Sequence, residues 1–265
     1  MCHCERQTLA SLSVIVITKN EAGNIGACLQ SLGFADQLVV LDSGSWDTTL
    51  EIARKMGAEV SENLEWLGFG IQKNRALALA RCDWVLSIDA DERVTQQLQD
   101  EILVALENPA FDVYSFPRLS SYCGQYMHYS GWHPDRVTRL FRRGAAEFSR
   151  ELVHEKVVGS SPVGQLESPL LHESFKTFEA VMDKANRYST AGALMLFERG
   201  KTASPAKALG HGAWAFFRTY ILRRGFMDGR MGLVLAISNA EGTYYRYLKL
   251  WLLVREKTAM GSSPE

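Results

Sequence analysis

The chain has 265 residues, 46% of them hydrophobic, and a formal net charge of -1; this excludes a disordered or fibrous composition and allows one packed domain, alone or with an appendage. The charge is unevenly placed: residues 1–110 carry 8 Lys/Arg against 16 Asp/Glu and residues 200–265 carry 10 against 4, so the first part would repel nucleic-acid phosphates and no nucleic-acid partner is expected. No window reaches the roughly 18 consecutive apolar residues of a membrane-spanning helix, because Arg223, Arg224, Asp228 and Arg230 interrupt the most apolar tract.

In chain order, the first 30 residues lack the apolar core of a secretion signal, and the five cysteines, Cys2, Cys4, Cys28, Cys82 and Cys123, are odd in number and scattered. Both features fit a reducing, cytoplasmic setting. Cys2-His3-Cys4 has no second ligand pair at zinc-like spacing and reads as an inert tail. Residues 12–17, L-S-V-I-V-I, form a β-branched run of strand length, followed by Ile25, Cys28, Leu29 and Leu32 at helical spacing. The scheme repeats with a strand at 37–42 and a helix that has Asp47 as N-cap and Gly57 as stop. A short strand at 58–60, a helix over 70–81, a strand at 83–89 and a helix over 95–108 continue it. Alternation of this kind predicts a largely parallel, doubly wound sheet, in which ligands collect at the carboxyl ends of the strands. From 111 to 172 the pattern changes to short strands with aromatics, F-D-V-Y-S-F-P, V-T-R-L-F-R-R and E-L-V-H-E-K-V-V-G, which predicts a mixed extension of the sheet. Residues 176–257 read as helix, with breaks near 200–205 and 225–232.

Asp89-Ala90-Asp91-Glu92 follows an apolar strand, so its carboxylates point into a ligand crevice and repel one another unless something positive joins them. A divalent cation such as Mg²⁺ or Mn²⁺, bound by one or two carboxylates and substrate phosphates, meets that need. A charged turn capping the next helix would look the same in isolation. Asp42 ends a second strand before S-G-S-W-D, where Ser43, Gly44 and Ser45 permit a tight turn. Thr18-Lys19-Asn20-Glu21 ends a third, with side chains able to hydrogen-bond a ribose or base.

The runs S-V-I-V-I-T-K-N-E, L-D-S-G-S-W-D-T-T, G-F-G-I-Q-K-N-R-A-L-A-L-A and D-W-V-L-S-I-D-A-D-E resemble the successive motifs of family-2 glycosyltransferases of the GT-A fold, over roughly residues 10–110. Further on, R-L-F-R-R, V-H-E-K-V, L-L-H-E-S and R-R-G-F-M-D-G-R-M-G-L resemble the branch containing lipopolysaccharide inner-core glucosyltransferases of the WaaE type. The resemblance implies an α/β GT-A-like sheet with helices on both faces and a helical C-terminal appendage. It also implies that Thr18, Asn20, Glu21 and Asp42 contact the nucleoside, that Lys73 and Asn74 lie near the donor, that Asp89 holds ribose or metal, and that Asp91 holds the metal. Many family-2 enzymes place an Asp as base where this chain has His154-Glu155. Glu155 is nominated, with His154 left open, and a simple pairing of the two on a strand is the bland alternative. His172 in L-L-H-E-S could complete the metal shell, bind a phosphate oxygen, or be a satisfied, partly buried histidine.

The expected organisation is a catalytic domain over 1–175, with a donor half at 10–110 and an acceptor half at 111–175, followed by a helical region at 176–265. The expected reaction is inverting transfer of a hexose, glucose from UDP-glucose, to a lipopolysaccharide core or related lipid-linked glycan at the inner face of the cytoplasmic membrane. In the last region Trp214, Phe216, Phe217, Tyr220 and Trp251 alternate with Arg218, Arg223, Arg224, Arg246 and Lys249. That pattern suits contact with an anionic membrane surface as well as a helical pair packed as core. Two rivals are a nucleotidyltransferase acting on a sugar phosphate, which would ordinarily show a Gly-rich basic loop after the first strand, and a non-catalytic nucleotide-sugar binding module, which needs neither paired carboxylates nor a base.

Overall fold

The computed structural model describes residues 10–149 and 155–261; Cys2, His3, Cys4 and the candidate His154 lie outside the described residues. The chain folds as two compact units, one built from residues up to Arg118 plus Asp135–His172, the other from Leu119–Pro134 plus the residues from Glu173 onward.

The first unit opens with β1 (Leu12–Thr18), α1 (Ile25–Gln30), β2 (Gln37–Asp42), α2 (Thr49–Lys55), β3 (Glu59–Glu62), α3 (Phe69–Leu77), β4 (Trp84–Asp89), β5 (Glu92–Val94) and α4 (Gln96–Glu107). β1 pairs in parallel with β2 and with β4, and β2 in parallel with β3. Successive strand residues face opposite sides, so β1 sends Leu12, Val14 and Val16 to one face and Ile15 to the other. The first face packs on Ile25, Cys28 and Leu29 of α1, Ala53 of α2, and Leu98 and Ile102 of α4; the second takes Ala76 of α3. Helices therefore cover both faces, the expected doubly wound arrangement, and burial on both sides explains why these strands are apolar throughout.

The expected stop is in place, with Gly57 at φ +82° just after α2; the helix expected from residue 95 begins at Thr95, whose hydroxyl caps α4 by accepting from the Leu98 amide at 3.1 Å. The cap of α2 is Thr48 and not Asp47. The Asp47 carboxylate still accepts from the Thr49 amide, two residues on, at 3.0 Å, an Asx-type turn that begins the helix one position later than the composition suggests.

Beyond α4 come β6 (Val113–Tyr122), β7 (Gln125–Tyr126), β8 (Asp135–Arg142), β9 (Glu147–Phe148), β10 (Val157–Val158), β11 (Val163–Gln165) and β12 (Leu170–Phe175). β8 runs antiparallel to β4 and to β6, and β12 antiparallel to β5, so the sheet becomes mixed here, as expected. The strand expected around V-H-E-K-V is limited, among the described residues, to Val157–Val158, whose partner is the two-residue β9. Glu155 precedes it.

The second unit carries α5 (Phe178–Glu198), α6 (Pro205–Phe217) and α7 (Gly229–Gly261), with a π turn at Arg218–Leu222 and a 3₁₀ turn at Gly225–Asp228. Thr177 and Ser204 cap the first two helices, and Pro205 occupies a first-turn position. Tyr122, Met127, Val181 and Leu235 form its core. No helix among the described residues is long and apolar enough to cross a membrane.

Candidate functional site

Parallel pairing sets the ends of β1, β2 and β4 side by side, with Thr18 opposite Asp42 and Ile17 opposite Asp89. The three strand ends picked out in the sequence thus meet at one edge, yet their carboxylates are treated differently. Asp42 is fully buried. Its Oδ1 accepts from the Thr18 hydroxyl at 2.9 Å and the Ser45 hydroxyl at 2.5 Å, and its Oδ2 accepts from the amides of Gly44 at 2.8 Å and Ser45 at 2.6 Å. Its charge is spent on folding the 43–45 loop back over the strand end. That loop is held in turn by Asn20, whose amide donates to the Ser45 hydroxyl and whose side-chain oxygen accepts from the Trp46 amide. Glu21 is partly buried and accepts from the Asn24 side chain. Trp46 is left 84% exposed.

At the end of β4 the compensating charges come from distant segments. Asp89 Oδ1 lies 2.9 Å from the Lys73 ammonium and Oδ2 lies 2.5 Å from the Arg139 guanidinium. Glu92, with no exposed surface, pairs with Arg139 at 3.3 Å and with Arg118 at 3.5 Å, and its Oε2 accepts from the Asp89 amide. Burial by itself would raise the Asp89 carboxyl, but Arg139 and Lys73 outweigh it and hold the group far below the usual carboxylate range. For Glu92 burial wins over Arg139, and with the Asp89 charge beside it the carboxyl is pushed up. Side-chain cations therefore supply much of the positive charge that three adjacent carboxylates demand. Arg93 locks the turn by donating to the carbonyls of Ala90 and Asn24. Beneath it, Cys28 Sγ donates to the Asp89 carbonyl at 3.6 Å, and burial pushes its thiol up to about 12.

Lys73 extends this network to the segment that carries Glu155. It is 2% exposed, and the same ammonium that meets Asp89 lies 2.8 Å from Glu155 Oε1. One side chain of α3 thus ties the β4 carboxylate to the carboxylate nominated as base, 82 positions further on. Two neighbours on α3 make this possible. Asn74 grips the backbone of Phe148 with two bonds, donating to its carbonyl at 2.8 Å and accepting from its amide at 2.9 Å. At Gly70 an added Cβ would stand 1.9 Å from the Ser149 carbonyl oxygen, so only glycine lets the helix come this close. On the other side of the turn, Asp91 Oδ2 faces His172 Nε2 at 3.2 Å, because His172 is paired with Glu92 across β12 and β5.

The sequence model of glycosyl transferase family 2 matches residues 13–156 of this chain. The chain belongs to glycosyltransferase family 2. An uncharacterized glycosyltransferase of Rickettsia prowazekii is 31% identical over 255 residues, covering 91% of this chain and 87% of the relative. The lipopolysaccharide core biosynthesis glycosyltransferase LpsC of Rhizobium meliloti is 30% identical over 258 residues, 89% of this chain and 93% of the relative. Among solved structures, residues 1–349 of TarS from S. aureus in complex with UDP-GlcNAc give a TM-score of 0.49 at 15% identity, with 96% of this chain and 93% of that chain covered.

For this family-2 enzyme, Asp91 and His172 are the side chains that could hold a divalent cation: a carboxylate oxygen and an imidazole nitrogen already within 3.2 Å of each other, next to Asp89, whose two oxygens are taken by Lys73 and Arg139. A hard cation of the Mg²⁺ or Mn²⁺ type fits such a partial shell, since it completes its coordination with water and phosphate oxygens. Arg139 and Arg118 received no role from sequence reasoning. The available signal was a guanidinium placed directly before the buried Leu140 and Phe141 of β8, where a strand needs a reason to carry a charge.

Proposed function

We propose that this glycosyltransferase moves a hexose, with inversion, from a nucleotide sugar to an envelope glycan, and that the donor is UDP-glucose and the acceptor a lipopolysaccharide core sugar. The observation that carries the reading is Lys73 meeting Asp89 and Glu155 at once, because it puts a carboxylate of the acceptor half beside the donor-side strand end. In this reading Glu155 takes the proton of the attacking hydroxyl as general base, while Lys73 holds it in place and presents positive charge to the departing diphosphate. A cation at Asp91 and His172 would supply Lewis-acid neutralisation of that leaving group. Asn20, Glu21 and the Asp42-organised loop would receive the nucleoside, with the exposed Trp46 ring available for stacking on the base. The likeness to a relative named for lipopolysaccharide core biosynthesis supports the acceptor class, and the family resemblance supports glucose and UDP. The basic, aromatic C-terminal region supports contact with an anionic membrane, which vesicle sedimentation at low and high salt would test.

The deciding experiment is a donor screen with and without Mn²⁺, scoring hydrolysis and transfer to core acceptors, together with calorimetry of UDP. UDP affinity should fall in EDTA and in Asp91→Ala. Equal affinity under all three conditions would remove the cation from the proposal, and transfer from no nucleotide sugar would remove the donor.

A further inference from the structure

The second unit contains a cavity of about 320 Å³ whose wall draws on α5, the π turn and α7 and includes Arg218, Arg223 and Arg246. No Asp or Glu lines it, and among the described residues none of the three guanidinium groups has a carboxylate within 4.0 Å. This contrasts with Arg75, Arg81, Arg118, Arg136, Arg139 and Arg142 of the first unit, which all have acidic partners. Two of these like charges are held near each other by the backbone. Arg218 and Arg223 are the two ends of a π turn, joined by the bond from the Arg223 amide to the Arg218 carbonyl at 2.9 Å, and π turns recur at functional sites. Two glycines make room for the arginine stems: an added Cβ at Gly131 would stand 2.5 Å from Arg223 Cδ, and one at Gly192 would stand 2.8 Å from Arg246 Nε. Lys249 adds an ammonium close by, donating to the hydroxyl of Ser189 on the cavity wall at 2.8 Å. Burial, and then the neighbouring Arg218 charge, lower the Arg223 pKa.

We propose that this cavity is a phosphate-binding site, taking the phosphate group of an amphiphile. Guanidinium forks bind phosphate oxygens in pairs, and Thr219 and Asn239 on the same wall add neutral donors. The amphiphile follows from Ile221 and Leu222, exposed on the same turn that carries Arg218, and from Phe217, exposed directly before it. The site is independent of the transfer chemistry and deepens the membrane reading, on which its lipid source rests.

The test uses the full chain with two probes, pyrophosphate by calorimetry and vesicles of phosphatidylcholine with or without phosphatidic acid by sedimentation. In Arg218→Gln/Arg223→Gln/Arg246→Gln, binding should fall roughly tenfold or more, because each charge-assisted bond is worth about that factor. Arg224→Gln/Arg230→Gln, which removes charge outside the cavity, should bind nearly as the parent does. Stronger binding to phosphatidic acid than to pyrophosphate at equal phosphate assigns a lipid; equal binding assigns a soluble phosphate in the same cavity. If neither probe binds, or the triple variant binds as well as the parent, the site does not exist. If both variants lose vesicle binding equally, the membrane contact is diffuse electrostatics and the cavity proposal fails while the membrane reading survives.

Discussion

The ends of β2 and β4 both present an aspartate at the same end of the sheet, and they differ in what satisfies it: neutral donors at Asp42 and cations at Asp89. Asp42 is satisfied by donors within its own loop and by Thr18 next door. Asp89 is satisfied by Lys73 and Arg139, which arrive from α3 and β8. A carboxylate solvated by neutral donors of its own loop shapes that loop. One neutralised from afar gathers separate segments around it, and the segments gathered at β4 include the one carrying Glu155.

The largest expected effect concerns that gathered segment. Glu155→Gln should lower kcat by roughly 10²- to 10⁴-fold with little change in nucleotide-sugar affinity, since a base acts in the transition state. His154→Ala is the control: if it abolishes turnover while Glu155→Gln keeps near-normal kcat, the base is His154 or lies elsewhere. Next, Arg139→Met should cost about 3–5 kcal/mol of stability, because it leaves Asp89 and Glu92 short of their shared buried cation; urea unfolding measures it, and a loss below that of Asp42→Asn would reverse the comparison. Asp42→Asn should cost about 1–3 kcal/mol, since an amide turns an NH₂ toward donors that need an acceptor, and should loosen the 43–45 loop while leaving the Lys73 pairings in place.

The smallest effect is in the pH dependence. The folded-state pKa of Asp89 lies below its ordinary value of 3.8, so its contribution to stability is complete above about pH 4 and drains away as pH falls. Glu92 has the opposite sign: its pKa is raised, so the cost of burying it charged is relieved on acidification. Wild type should therefore exceed Asp89→Asn in urea midpoint by a margin that narrows between about pH 4 and pH 2. A margin that widens there would contradict the assigned directions.

Much of the first unit was legible because its signals are local. β-branched runs with both faces buried gave β1, β2 and β4 almost to the residue, and Gly57 marked a helix end by backbone freedom. The chemistry of Asp89-Ala90-Asp91-Glu92 was legible as a demand for positive charge. Its supply was not, because Arg139 lies 50 positions from Asp89 and Lys73 lies 82 from Glu155, and no periodicity encodes such pairings. Glu92 likewise looked like a third ligand-facing carboxylate, although strand pairing with His172 turns it inward to Arg139 and Arg118. Asp47 missed the cap by one residue because an Asx turn and an N-cap use the same side-chain type.

The Cys28 thiol, fixed against the Asp89 carbonyl and buried, works as a built-in clock for the turn above it. With its pKa raised to about 12, it is almost wholly protonated at neutral pH, so a thiol reagent can reach a reactive thiolate only during excursions in which that turn lifts from α1. Its labelling rate then reports the free energy of local opening at the carboxylate cluster, separately from global unfolding. A donor or cation that settles there would slow the clock without touching the sulfur.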